Sequence, residues 1–126
     1  MGLDMFAFKV RKGVITESVD FNLPDDNESQ EELHYWRKHP NLHGWMENLY
    51  QEKGGKSDTF NCDNLQLTEE DINRLEEDVN NDSLPETQGF FFGQSYPEDK
   101  VNDLEFIRKA REALAEGYDV YYTSWW

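Results

Sequence analysis

Both ends of the chain are written as aromatic strands, and helical patterns lie between them. Asp4 to Val10 (DMFAFKV) alternates, with Phe6, Phe8 and Val10 on one side and Met5, Ala7 and Lys9 on the other. Tyr118 to Trp126 (YDVYYTSWW) follows Gly117 and reads as a terminal strand. Strands this rich in Phe, Tyr and Trp need a covered face, so the two ends are expected to share one sheet. The chain has no regular strand–helix–strand alternation with glycine-rich turns, which argues against a doubly wound parallel sheet. The expected class is α+β: a single compact domain over 1–126, with an antiparallel or mixed sheet of four to five strands under about four helices.

Further elements follow from local patterns. Arg11-Lys12-Gly13 reads as a turn and Val14 to Val19 as a short hairpin strand. Phe21 to Ser29, with Pro24 and several turn formers, reads as a loop. Ser29 can cap a helix with Glu31 and Glu32 in its first turn, ending near Lys38 because Pro40 restrains His39. Pro40 suits the first position of a new helix. There Leu42, Trp45, Met46, Leu49 and Tyr50 make the clearest amphipathic stripe in the chain, ended by Gly54-Gly55. Thr59 to Leu67 reads as an extended segment. Thr68-Glu69-Glu70-Asp71 is a capping-box variant, and Ile72, Leu75 and Val79 form the apolar face of its helix. Gly89 to Gly93 (GFFFG) reads as a short aromatic strand. Pro97 and Glu98 open a last helix with Leu104, Ile107, Ala110 and Leu114 inward, widened by Phe106 and Ala113, and with Glu105 and Lys109 spaced to pair. The expected order is β-β-α-α-β-α-β-α-β.

Composition narrows the class of protein. Aromatics at 14% oppose the disorder that 31% charged residues would otherwise suggest. The single cysteine, Cys62, excludes an intrachain disulfide framework and makes a reducing compartment the expectation. Cys62 lies among acids that would raise its pKa, so it is a poor nucleophile candidate. No apolar run approaches the roughly 20 residues of a membrane span, and the first ten residues do not resemble a signal peptide.

The formal net charge is -15, and it is concentrated. Residues 58–87 hold ten acids and only Arg74; residues 21–34 hold five acids and no base. Such a chain lacks the cationic footprint that nucleic acid or an anionic membrane requires. Glu69, Glu70, Asp71, Glu76, Glu77 and Asp78 make the helix after Thr68 polar nearly all round. The plain reading is a solvated face. The functional reading is an acidic surface that docks on a basic patch of a partner protein, or one that imitates the phosphate rails of DNA.

Leu33 to Met46 (LHYWRKHPNLHGWM) gathers all three histidines and two of the four tryptophans. Tyr35, Arg37, Lys38, His39 and His43 are its candidate ligand-binding residues: cations for phosphate or carboxylate, an aromatic for stacking, imidazoles for acid–base work. Trp36, Trp45 and Met46 are expected in the core. His39 and His43 stand four apart, but Pro40 and the missing acid at the next position oppose a metal pair, so no metal or cofactor is expected. His39 alternatively caps the next helix. Neither a nucleophile elbow, a Walker loop, a dinucleotide fingerprint nor a CxxC occurs; Gly54-Gly55-Lys56-Ser57 follows a helix and reads as its stop.

MGLDM, ELHYWRKHPNLHGWM, GFFFG, DLEFIRKA and VYYTSWW together resemble a group of small bacteriophage and prophage proteins, over nearly the whole chain. Members often carry the label phosphoglycerate kinase. That label fails here: such a kinase is a far longer two-domain α/β enzyme, and this chain has no nucleotide phosphate loop. The resemblance implies a viral origin, one compact domain and no transferable catalytic residues. It makes the expected role that of a phage accessory protein in the host cytoplasm, binding a host protein through its acidic face in host takeover or anti-defence, rather than an enzyme. The alternative is a small nucleotide- or phosphometabolite-binding protein or enzyme using residues 33–46. A third reading is a homodimer paired through its aromatic terminal strands.

Overall fold

The computed structural model describes residues 2–23, 30–89 and 92–126. The elements are β1 (Asp4–Arg11), β2 (Gln30–Arg37), α1 (Pro40–Glu52), β3 (Leu65–Leu67), α2 (Glu69–Asn80), α3 (Asp99–Ala115) and β4 (Tyr118–Trp125). The four strands form one antiparallel sheet in the order β2-β1-β4-β3. With three helices on it, the fold is α+β, and the two aromatic ends lie side by side: Ala7 pairs with Tyr122 and Phe8 with Tyr121.

The alternation of β1 sorts the sheet into two faces. Met5 and Ala7 join Trp36, Val120 and Tyr122 on the helix-covered face, packed with Leu42, Met46, Leu49, Tyr50, Ile72, Leu75, Phe106 and Ile107. Val10 and Tyr121 lie on the other face, closed by Ile15 and Phe21, with Phe8 packed against them. Both faces of the central strands are therefore covered, which is why β4 carries aromatics in both registers and β1 sets Phe6 and Phe8 against Met5 and Ala7. Phe6, Tyr35 and Trp125 also lie on the second face, and there Tyr35 and Trp125 are exposed.

Several local expectations are corrected. Residues 30–37 form a strand, not a helix. The first-turn acids Glu31 and Glu32 lose to seven residues paired with β1, which put His34 and Trp36 into the core and leave Glu31, Glu32, Tyr35 and Arg37 exposed. A register shift opposite Ala7/Phe8 skips Leu33. Ser29, the expected cap of that helix, lies outside the described residues, as does most of the 21–29 loop. Val14 to Val19 is not a strand. Both edges of β1 are taken, so this segment packs across the sheet, and only Val19 bridges, to Leu65. The extended segment 59–67 shortens to Leu65–Leu67 because Phe60 and Cys62 turn the chain at φ of 46° and 62°. Gly89 and the Phe92-Gly93 end of the expected GFFFG strand are irregular; Phe90 and Phe91 lie outside the described residues. The order is thus β-β-α-β-α-α-β, and the expected fourth helix is β2.

The helices obey their local signals. Pro40 opens α1, and Leu42, Trp45, Met46, Leu49 and Tyr50 are buried. Thr68 caps α2 in a complete capping box with Asp71. In α3 Phe106, Ile107, Ala110 and Ala113 are buried, Leu104 and Leu114 only half so. Glu105 pairs with Arg108 at 2.6 Å rather than with Lys109, which stands 3.3 Å from His34 Nδ1.

Candidate functional site

The sheet spreads the candidate residues of 33–46 over three environments. Tyr35 and Arg37 point to the second face of β2, where both engage Asp4: the Tyr35 hydroxyl donates to Oδ1 at 2.5 Å, and Arg37 Nε lies 3.1 Å from the same oxygen. His43 lies in the core, ringed by Phe60, Phe92 and Tyr122. Its Nδ1 is hydrogen-bonded to the Tyr122 hydroxyl at 2.7 Å, and burial holds its pKa down to about 4. His43 is therefore a neutral core residue and does not join the others.

Lys38 and His39 occupy the corner where β2 hands over to α1. Lys38 has a positive φ of 61°, and its N–H donates to the Leu3 carbonyl at 3.0 Å. Its side chain runs between two glycines. A Cβ on Gly2 would approach Lys38 Cε to 2.8 Å, and one on Gly93 would approach Lys38 Cδ to 2.8 Å. Arg37 Nη2 reaches the same place, 2.9 Å from the Gly2 position. Of the candidate residues, Lys38 and His39 thus meet the 93–95 segment.

His39 is 4% exposed and sits at the N-cap position of α1, yet its side chain makes no cap. Instead its Nε2 lies 2.8 Å from Asp103 Oδ2, and its Nδ1 lies 2.7 Å from Ser95 Oγ. Asp103 is 1% exposed, and its other oxygen accepts the Trp36 indole N–H at 3.2 Å. Asp103 and Ser95 thus hold the two nitrogens of the ring; with Nε2–H donating to Asp103, Nδ1 would accept from the Ser95 hydroxyl. Ser95 Oγ in turn accepts the Asn41 N–H at 3.1 Å, so it serves as the cap expected of His39. Asp99 Oδ2 stands 3.7 Å from Nδ1.

This array opens on a cleft of about 240 Å³ between the start of α1, the end of α2 and the start of α3. Asp82, Asp99, Lys100 and the exposed Tyr96 line it beside His39 and Ser95. Lys100 is partly spent, 3.4 Å from Asp82. The cleft is therefore net acidic and favours neutral or cationic occupants over phosphates.

The acidic helix divides in two. Asp71 is buried, closes the Thr68 capping box and pairs with Lys53. Glu76 accepts from Arg111 at 2.7 Å, and this guanidinium lowers its pKa. Asp78 accepts the Trp45 indole N–H at 2.8 Å. These three hold the fold. Glu69, Glu70 and Glu77 are exposed and fall within about 100° of the circumference of α2, next to Glu76.

Ser95 and Asp103 were not among the residues picked out by sequence. Asp103 had a usable signal: it interrupts the apolar stripe of α3 one turn before Phe106 and Ile107. Ser95 had none. Among the described residues no group of three His, Cys, Asp or Glu side chains could hold a metal ion, and no helix is long and apolar enough to cross a membrane. Searches of protein-family models, curated proteins and solved structures return no match to this chain.

Proposed function

We propose that the protein is a phage-type accessory protein that binds a host protein through the solvent face of α2. One observation carries the reading. Three of the six acids of α2 are used within the fold, whereas Glu69, Glu70 and Glu77 form an exposed band along it. Such a band adds little to stability and is free to meet a cationic surface, steering association in a salt-dependent way. The phage assignment rests on the resemblance of the aromatic blocks. The test is affinity capture from bacterial lysate at low and high salt, comparing the natural chain with a Glu69→Lys, Glu70→Lys, Glu77→Lys variant. A partner retained at low salt and lost by the variant supports the reading. A partner held equally by both removes α2 as the docking surface.

A second reading, a small anionic-ligand protein, draws support from Lys38. It is half-buried between Gly2 and Gly93 and has no ion-pair partner among the described residues. Inorganic phosphate and a nucleotide panel in a thermal-shift assay test it. The expected result is a rise in Tm that Lys38→Ala abolishes, and the absence of any rise rejects it.

A further inference from the structure

We propose that Ser95 is an activated nucleophile, with His39 as its general base and Asp103 as the positioning residue. The array would carry acyl transfer from small carboxylic esters at the 240 Å³ cleft. This goes beyond the docking role and does not depend on it.

The argument is geometric. A serine hydroxyl is a weak nucleophile unless a base stands within hydrogen-bond reach and a third group orients that base. Here the base is 2.7 Å from Ser95 Oγ and the orienting carboxylate is 2.8 Å from the base. Their burial is graded as such a relay requires. Asp103 and His39 are almost wholly buried, whereas Ser95 is half-exposed and lines the cleft. The Trp36 indole occupies the second oxygen of Asp103, so the carboxylate cannot turn away from the ring. The ring is reversed relative to the common serine triad, since Nδ1 faces the nucleophile and Nε2 the acid. Proton transfer needs only one lone pair toward Oγ and one N–H toward the carboxylate, and this arrangement has both.

Two further features hold Oγ in place for attack. The Asn41 N–H donates to it, and the N-terminus of α1 is directed at it. Asp99, 3.7 Å from Nδ1, is placed to stabilise the imidazolium that forms. In the step, Oγ bonds to the acyl carbon and its proton passes to His39 Nδ1. The ester C–O bond then breaks, and the leaving alkoxide takes that proton. Water then gives a proton to the same nitrogen as its oxygen bonds to the acyl carbon, the acyl C–Oγ bond breaks to release the acid, and Oγ takes the proton back. Asp82 and Asp99 on the walls direct the preference to neutral or amine-bearing acyl groups rather than anionic ones.

The test uses the whole natural chain. It is treated with a fluorophosphonate probe and, separately, with p-nitrophenyl acetate and its succinyl counterpart, and the modified residue is located by peptide mass spectrometry. The expected result is a single adduct on Ser95 that is absent from heat-denatured protein. Acetyl transfer should exceed succinyl transfer at least tenfold. Because Ser95 also caps α1, Ser95→Ala risks unfolding, so the companion variant is Asp103→Asn. It should remain folded by circular dichroism and label at least tenfold more slowly. No adduct on Ser95 in the natural chain, or a labelling rate that a folded Asp103→Asn variant leaves unchanged, overturns the proposal and leaves Ser95 as a helix cap.

Discussion

His43 makes the fold sensitive to acid in a way that can be calculated. In the folded chain burial among Phe60, Phe92 and Tyr122 lowers its pKa to about 4, against 6.5 for the free side chain. The unfolded chain therefore binds the proton first. Stability is fully present above pH 6.5 and is lost as pH falls toward 4, below which this contribution is flat. Each unit of displacement is about 1.4 kcal/mol, so the whole effect is on the order of 3 kcal/mol, of which about 2 kcal/mol falls between pH 7 and pH 5. The assay is urea unfolding at both pH values for the natural chain and for His43→Asn, which keeps an acceptor near the Tyr122 hydroxyl but does not titrate. His34, whose pKa burial also lowers, and the carboxylates titrate in both proteins and cancel. The natural chain should lose about 2 kcal/mol more than the variant between the two pH values. Equal losses would mean that His43 takes its proton without penalty, and its placement in the core would be wrong.

Other substitutions probe other parts of the fold. Gly44→Ala drives a Cβ into the Thr87 side chain, and chemical denaturation should show a loss of about 1–3 kcal/mol that Thr87→Ala partly restores. Thr68→Ala removes the cap of α2 and should cost about 1 kcal/mol in the same assay. Trp36→Ala empties a core site and strips a donor from Asp103, for roughly 3–5 kcal/mol. Trp125→Ala, at 67% exposure, should stay within about 0.5 kcal/mol.

The elements legible in the sequence were those whose own periodicity matched their burial. The α1 stripe from Leu42 to Tyr50, the Thr68–Asp71 capping box and the β1 alternation all appear as written. Residues 30–37 were not legible because their exposure pattern is set by a partner strand. Glu31 and Glu32 look like a helix's first turn, yet they lie on a sheet edge, where Glu31 meets Lys9 at 3.7 Å. The candidate site was half legible for a related reason. Chemistry concentrated in the fourteen residues from Leu33 to Met46 need not converge. A strand sends Tyr35 and Trp36 to opposite faces, and the helix that follows turns His43 inward while His39 remains at the corner. Ser95 and Asp103 reach His39 across 56 and 64 positions of sequence, a relation no local pattern encodes.

The reading of this corner rests on His39 being held between Ser95 and Asp103. Long-range ¹H–¹⁵N correlation of the histidine rings, at a pH where the ring is neutral, reports that arrangement directly. The account predicts that His39 carries its proton on Nε2 and that Nδ1 accepts a hydrogen bond, a pattern that Asp103→Asn disturbs. A His39 ring protonated on Nδ1, or one averaging between the two tautomers, would contradict it.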